Sequence, residues 1–215
     1  MNQASDNPEP AVPESSTRWH RAQGSSGARR TGTKILLVLI VALLLAAGVV
    51  LVAGRPLAFA VITRLTSRKF PEVRWVEPGD LARWRADPGN PPPVVLDART
   101  DREFVVSHLR DARRMDPYRP LLTPLKGFSK DTAIVVSSSV GYRSARLAHW
   151  LRQQGYTGVR NLAGGLFLWA NQGRPLFQQG RPAVSVHPYD GRWGLLLEAA
   201  HRAEAPDIEK QSAAP

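Results

Sequence analysis

Residues 133–145 read AIVVSSSVGYRSA, in which four apolar residues precede three serines, Val140 and Gly141. The apolar run is short and rich in β-branched residues, which is typical of a buried strand. From Tyr142 onward, apolar residues recur at helical spacing. A strand, a loop of small residues and a helix therefore follow one another directly, and this is the unit from which parallel sheets are built.

Three other apolar segments have the length of buried strands. They lie at residues 73–76, 94–96 and 159–162, and helical patterns separate them along the chain. Because parallel strands need crossover connections, usually helices, this alternation predicts an α/β fold. The sheet is expected to be largely parallel and covered by helices on both faces.

Capping signals place the helices between these strands. Asp80 is a candidate N-cap for the first helix, and Thr100 followed by Glu103 has the spacing of a capping box. Residues 142–154 and 165–172 form the other two predicted helices, each followed by a glycine. The pattern thus supplies one helix for each connection between strands.

The composition limits the chemistry that the chain can perform. Its 215 residues leave room for one ordinary domain with accessory segments, and its net charge of +11 is spread along the chain rather than clustered. No motif for reading nucleic acid accompanies that charge, so we expect no nucleic-acid partner. The chain has no cysteine, which excludes disulfides, thiolate metal sites and a thiol nucleophile.

The N-terminal part differs in composition from the rest. Residues 1–34 are rich in Pro, Ser, Gly, Ala and charge, which predicts a disordered basic tail. Residues 35–53 are nineteen consecutive apolar or glycine residues, enough to predict a transmembrane helix. A cleaved signal peptide would have a shorter apolar core behind a shorter tail, and a buried soluble helix would have a polar face. A single-pass membrane anchor is therefore the favoured interpretation.

Basic residues around this span indicate a weak preference for one orientation. Five lie within about twenty residues on its N-terminal side and four on its C-terminal side. This favours an extracytoplasmic domain. Residues 54–69 are predicted to be a juxtamembrane linker, in which residues 57–65 form either an interfacial helix or an extension of the span after Pro56.

Four short motifs, in order, resemble those of the rhodanese family. They are Leu96-Asp97-Ala98-Arg99, Glu103 with Ser107-His108-Leu109, Gly141-Tyr142-Arg143-Ser144-Ala145, and Gly164-Gly165-Leu166 through Trp169. The resemblance covers residues 70–176. It implies a five-stranded, mostly parallel sheet flanked by helices, with the site in the loop after the strand at residues 134–136.

Backbone N–H groups of that loop, together with the dipole of the following helix, are suited to hold an anion. The predicted anion-binding residues are Ser138, Ser139, Val140, Gly141, Tyr142 and Arg143, with Asp97 and Arg99 in support. In active members that the chain resembles, a cysteine stands five residues before the arginine. Serine occupies that position here, at Ser138, and a hydroxyl cannot form the persulfide that sulfur transfer requires. We therefore expect no enzyme activity of the family's type, no cofactor and no metal.

Other chemistries are disfavoured by the same residues. A serine hydrolase would need a base beside Ser138, but His108 and His149 are poorly placed and His187 and His201 fall in the C-terminal extension. Phosphatases that resemble this fold have a loop one residue longer and also use a thiolate. Arg143 is predicted either to bind an anion or to stabilise the loop by donating to nearby carbonyls.

Residues 177–215 form a C-terminal extension with a predicted short helix around Leu195 and a polar end. Tyr189 and Trp193 are expected to pack on the sheet edge or the last helix, and a role in docking a partner is the alternative. Taken together, the sequence predicts a membrane-anchored, inactive module that binds an anion or a protein partner. The alternative is a sulfurtransferase-related enzyme or subunit that positions a sulfur-carrying partner.

Overall fold

The computed structural model describes residues 26–204, without the side chains of residues 26–33, 37 and 42–53. Two units can be distinguished, Met1–Gly48 and Val49–Pro215. The helices are α1 (Ser26–Lys69), α2 (Pro78–Ala86), α3 (Asp101–Val106), α4 (Tyr142–Gln153) and α5 (Gly165–Asn171). The strands are β1 (Arg74–Val76), β2 (Val94–Asp97), β3 (Arg113–Arg114), β4 (Ile134–Ser137), β5 (Val159–Leu162), β6 (Leu176–Gln178) and β7 (Arg181–Ala183).

Five of the strands form one sheet in the order β1-β5-β4-β2-β3, and all four pairings are parallel. The predicted fold class, an α/β domain with a five-stranded parallel sheet, is confirmed. Strands β2 and β4 pair so that Asp97 lies opposite Ser137. The carboxyl end of β2 and the start of the serine loop therefore meet at the same edge of the sheet.

Side chains of the central strands feed two hydrophobic clusters, one on each face of the sheet. In β4, Val135 belongs to one cluster, whereas Ile134 and Val136 belong to the other. In β2, Val95 and Leu96 divide between the two clusters in the same way. This alternation follows from the two-residue period of a strand and shows that both faces are buried, as predicted.

The start of helix α3 agrees with its predicted capping signal, whereas the start of helix α2 does not. The Thr100 hydroxyl accepts from the backbone N–H of Glu103, and the Glu103 side chain accepts from the backbone of Thr100, so the predicted capping box is present. The prediction of Asp80 as an N-cap is wrong. Helix α2 begins at Pro78 with Glu77 as its N-cap, because proline fits the first turn of a helix, where its missing N–H costs nothing.

Helix α1 begins at Ser26, so the end of the predicted tail (residues 1–34) is helical, and residues 1–25 lie outside the described residues. Among the residues that the structure describes, no helix combines the length and the hydropathy that a membrane span needs. The predicted span, residues 35–53, falls in α1, but the side chains of residues 42–53 lie outside the described ones.

Residues 54–69 are part of the folded domain rather than a linker. The helix continues through Pro56 to Lys69, which favours an extension of the helix over a separate interfacial one. Phe59 and Thr66 are buried, and Phe59 belongs to one of the two core clusters. The structure thus places a buried apolar side chain of this segment in the core, which the prediction of a linker did not include.

Candidate functional site

The serine loop, residues 138–141, joins the end of β4 to the start of α4. Gly141 has a φ of 103°, a left-handed value that suits glycine, and a Cβ there would lie 3.3 Å from the Trp75 ring. The N-terminus of α5 fixes the loop from the other side, since Leu166 N donates to the Ser138 carbonyl oxygen over 2.7 Å. The loop is therefore held in one conformation by its neighbours.

The Ser138 side chain is buried at the centre of this loop. Its Oγ accepts hydrogen bonds from the backbone N–H of Gly141 over 3.2 Å and of Ser144 over 3.3 Å. It also lies 2.9 Å from the Ser144 Oγ. Two backbone N–H groups thus converge on the side chain of residue 138.

Four other N–H groups in and just after the loop are not hydrogen-bonded within the described part of the chain. They belong to Ser139, Val140, Tyr142 and Arg143, and none of them donates to an acceptor in residues 26–204. Two of them belong to the first turn of α4, where the helix dipole adds positive potential. This part of the loop can accept negative charge.

The guanidinium of Arg143 forms an ion pair with Glu103. Its Nη1 and Nη2 donate to the two carboxylate oxygens of Glu103 over 2.8 and 2.5 Å. Nη2 also donates to the Ser139 hydroxyl, which in turn donates to Glu103. Of the two predicted roles, loop stabilisation describes this geometry, but the acceptors are a carboxylate and a hydroxyl rather than the carbonyls that we expected.

Glu103 is the residue of this network that sequence reasoning missed. The capping-box pattern explained it fully, and nothing in that pattern indicated a second set of contacts with the serine loop. Burial alone would raise its pKa, but the hydrogen bonds and charge of Arg143, with the charge of Arg99, lower the pKa from 4.5 to about 2. Glu103 also holds the pKa of Arg143 above its ordinary value, against the effect of burial.

This depressed pKa predicts an acid-dependent loss of stability. Because the folded-state pKa lies below the unfolded one, the stabilisation is complete above about pH 5 and is lost as the pH falls toward 2; it is on the order of 3 kcal/mol. Urea unfolding of the wild type and of Glu103→Gln should show a large difference in midpoint at about pH 7 that shrinks by pH 3. A difference that stays constant would contradict the role of the charge.

Asp97 and Arg99 lie behind the loop as a buried ion pair, each side chain 0% exposed. Arg99 Nε and Nη2 donate to the two oxygens of Asp97 over 3.0 and 2.7 Å. Nη2 also donates to the Ser107 carbonyl oxygen over 2.5 Å. These two predicted supporting residues fix the end of β2. Neither of them lines the cavity that covers the serine loop.

A cavity of about 520 Å³ covers the serine loop. Besides loop residues and Tyr118, its walls include Ile62, Leu65, Thr66 and Lys69 from α1 and Tyr189 and Trp193 from the C-terminal extension. Tyr189 and Trp193 therefore lie beside the loop, and not only against the sheet edge or last helix as predicted. The α1 residues carried no sequence signal, because the segment was interpreted as a linker and only tertiary packing brings it here.

His187 also lies nearer to the site than the sequence indicated. Burial lowers the pKa of His187, with smaller and partly opposing effects from the charges of Glu103, Arg99 and Arg143. Its Nδ1 accepts from the backbone N–H of Tyr189 over 2.9 Å. No histidine within the described residues is hydrogen-bonded to Ser138, and no group of three or more His, Cys, Asp or Glu there could hold a metal ion.

Comparisons with known proteins agree with this fold. The model of the rhodanese-like domain matches residues 78–172. A sulfurtransferase from Allochromatium vinosum is 32% identical over 83 residues, which cover 39% of this chain and 77% of that protein. The fold and site therefore define an α/β domain with a loop of buried serines between a strand and a helix, and the chain belongs to the rhodanese-like family.

Two further similarities are more partial. A tRNA uridine(34) hydroxylase from Erwinia tasmaniensis is 30% identical over 98 residues, which cover 43% of this chain but only 27% of that protein. The chain thus spans about a quarter of that relative's length. The crystal structure of a rhodanese-related protein from Thermoplasma volcanium is 23% identical, with a TM-score of 0.42, covering 49% of this chain and 99% of that one.

Proposed function

We propose that this chain is a membrane-anchored, non-catalytic member of the family, whose serine loop binds an anion or an acidic group of a partner protein. The observation that carries the proposal is the side chain at position 138. A hydroxyl stands there, held by two backbone N–H groups, where the family resemblance implies a cysteine. The loop thus keeps its donors while it lacks the sulfur nucleophile.

The hydroxyl is also poorly suited to any other covalent chemistry. A serine becomes a useful nucleophile when a base removes its proton. Ser138 Oγ already accepts two N–H bonds, and its remaining neighbour is the Ser144 hydroxyl, which is not a base. Neither a histidine nor a carboxylate in residues 26–204 is hydrogen-bonded to it.

Anion binding follows from the charge balance around the loop. In an active relative the resemblance implies a thiolate at this position, and its negative charge would offset the positive end of α4. Ser138 is neutral, and Arg143 and Glu103 cancel each other. The free N–H groups and the helix dipole are then uncompensated, which favours a bound anion.

Thiosulfate is a suitable probe because it tests binding and turnover together. We expect the purified chain to bind thiosulfate, measured by titration calorimetry, without releasing thiocyanate when cyanide is added. Ser138→Asp should lower the affinity at least about tenfold, because its carboxylate would place a negative charge beside the N–H donors that a bound anion uses. Ser138→Asn, similar in shape but neutral, is the matched control. Thiocyanate release by the wild type, or equal binding by the two variants, would contradict the proposal.

A second candidate is a sulfurtransferase-related enzyme or subunit that positions a sulfur-carrying partner. It is supported by the name of the relative from Allochromatium vinosum, a sulfurtransferase. In that case the partner's own cysteine performs the transfer, and the cavity only holds it in place. Sulfur transfer by a cysteine-containing partner should then become faster when the chain is added, an effect that pure anion binding does not produce.

The proposed anchor rests on the apolar run at residues 35–53 and has a direct test. Full-length protein should stay in the membrane fraction through carbonate and high-salt washes. For the orientation, a cysteine can be introduced at exposed Val184, since the chain has none of its own. An impermeant maleimide should label it in intact cells if the domain is extracytoplasmic. Labelling only after lysis would contradict the extracytoplasmic orientation. Release of the protein by high salt would contradict the membrane anchor.

A further inference from the structure

Two segments outside the family match enclose the serine loop. Residues 78–172 match the rhodanese-like domain, whereas Ile62, Leu65 and Lys69 on α1 precede that match and Tyr189 and Trp193 follow it. Without them the loop would face solvent. Residues on both sides of the family match therefore contribute walls to the cavity of about 520 Å³ that covers the loop.

The added walls are apolar, and part of that apolar surface is open. Leu65 is 58% exposed and Trp193 38% exposed, although both line the cavity. Ile62 and the loop residue Val140 complete this side. An inorganic anion gains nothing from such a wall, whereas the hydrocarbon part of an organic ligand gains free energy by covering it.

Lys69, a cation that lines the cavity, forms no ion pair with the carboxylates of residues 26–204. Its Nζ donates to the Tyr142 hydroxyl over 2.6 Å. Arg143, the other cation that lines the cavity, is neutralised by Glu103. Lys69 and the free N–H groups of the loop thus give the cavity a positive potential that no carboxylate of the described residues neutralises. Apolar residues line the same cavity.

We propose that this cavity binds a small organic anion with an apolar body. Its carboxylate or similar group contacts Lys69 and the loop N–H groups, and its hydrocarbon part packs against Ile62, Leu65 and Trp193. The volume lies within the range of about 300–1,000 Å³ that is usual for small-molecule sites. This inference rests on the proposed anion-binding function and adds the class of ligand.

Three probes of the full chain separate the contributions of charge and apolar body. They are hexanoate, acetate and 1-hexanol, titrated by calorimetry against a blank without protein. Hexanoate should bind at least about tenfold more tightly than acetate, because it buries additional methylene groups. It should also bind at least about tenfold more tightly than 1-hexanol, which lacks the charge.

Single substitutions at exposed positions then assign each part of the ligand. Leu65→Ser should weaken hexanoate several-fold and leave acetate unchanged, whereas Lys69→Met should weaken both anions. Arg68→Met is the matched control, since Arg68 is the exposed neighbour of Lys69 and does not line this cavity. Leu65 and Lys69 are exposed, so all three variants should fold like the wild type.

The outcomes distinguish this inference from the function on which it rests. If thiosulfate binds but acetate and hexanoate bind equally, the organic ligand is excluded and the anion-binding function stands. If 1-hexanol binds as tightly as hexanoate, or Lys69→Met behaves like Arg68→Met, the assignment of the anionic group is overturned. If neither thiosulfate nor hexanoate binds, both proposals fail.

Discussion

Replacing Asp97 with alanine should lower the free energy of unfolding by about 3–5 kcal/mol, the usual cost of removing one partner of a buried ion pair. Asp97 accepts from the backbone N–H, Nε and Nη2 of Arg99, and neither side chain contacts solvent. The substitution would leave a guanidinium buried without its counter-charge. Urea unfolding of a fragment that begins at Gly54 measures the effect.

A matched substitution at the surface separates burial from charge. Asp101 also pairs with an arginine, Arg114, but its side chain is 77% exposed. Asp101→Ala should therefore cost no more than about 1 kcal/mol, as is usual for exposed pairs. In addition, Asp97→Leu combined with Arg99→Met should be less destabilising than either single change, because no unpaired charge remains. Equal effects of Asp97→Ala and Asp101→Ala would show that burial of the pair is unimportant.

The parts of the fold that could be predicted from the sequence are those with a strong local signal. Strands β2 and β4 are short runs of mostly apolar residues, β5 begins and ends with a buried apolar residue, and the Thr100 capping box marks the start of α3 by itself. Strand β3 has only two residues, both arginine, so no pattern in the sequence could indicate it. The β6–β7 hairpin was not predicted either, because each strand has only three residues and β7 contains a proline.

For the site too, residues in local motifs could be predicted from the sequence, whereas contacts that depend on tertiary packing could not. The position of Ser138 and the support from Asp97 and Arg99 could be predicted because motifs place them at the ends of adjacent strands. The Glu103–Arg143 pair joins residues forty positions apart, and local patterns carry no information about it. The cavity walls on α1 and in the C-terminal extension depend on how those segments pack in the tertiary structure. The spacing of residues along the sequence does not predict this packing.

Changing Ser138 to cysteine should create thiosulfate sulfurtransferase activity, which we propose the wild type lacks. The N–H groups of Gly141 and Ser144 would then point at sulfur, and with the positive end of α4 they should lower the pKa of the thiol below its ordinary value. The reactive thiolate would thus be populated near neutral pH. We expect cyanide-dependent release of thiocyanate at least about tenfold above the blank, with slow turnover because Glu103 holds Arg143 away from a substrate.

Ser139→Cys is the matched control for this experiment, because it places the same thiol one residue away in the same buried loop. The Ser139 hydroxyl lies between Glu103 and Arg143, whose opposite charges offset each other, and no backbone N–H of the described residues donates to it. A thiol at this position therefore lacks the two N–H donors that favour a thiolate at position 138. Ser139→Cys should therefore stay inactive and react slowly with a thiol reagent, while Ser138→Cys reacts quickly. Both variants must unfold near the wild-type urea midpoint for the comparison to count. An inert but folded Ser138→Cys would show that more than the nucleophile has been lost, and activity in the cysteine-free wild type would overturn the non-catalytic proposal.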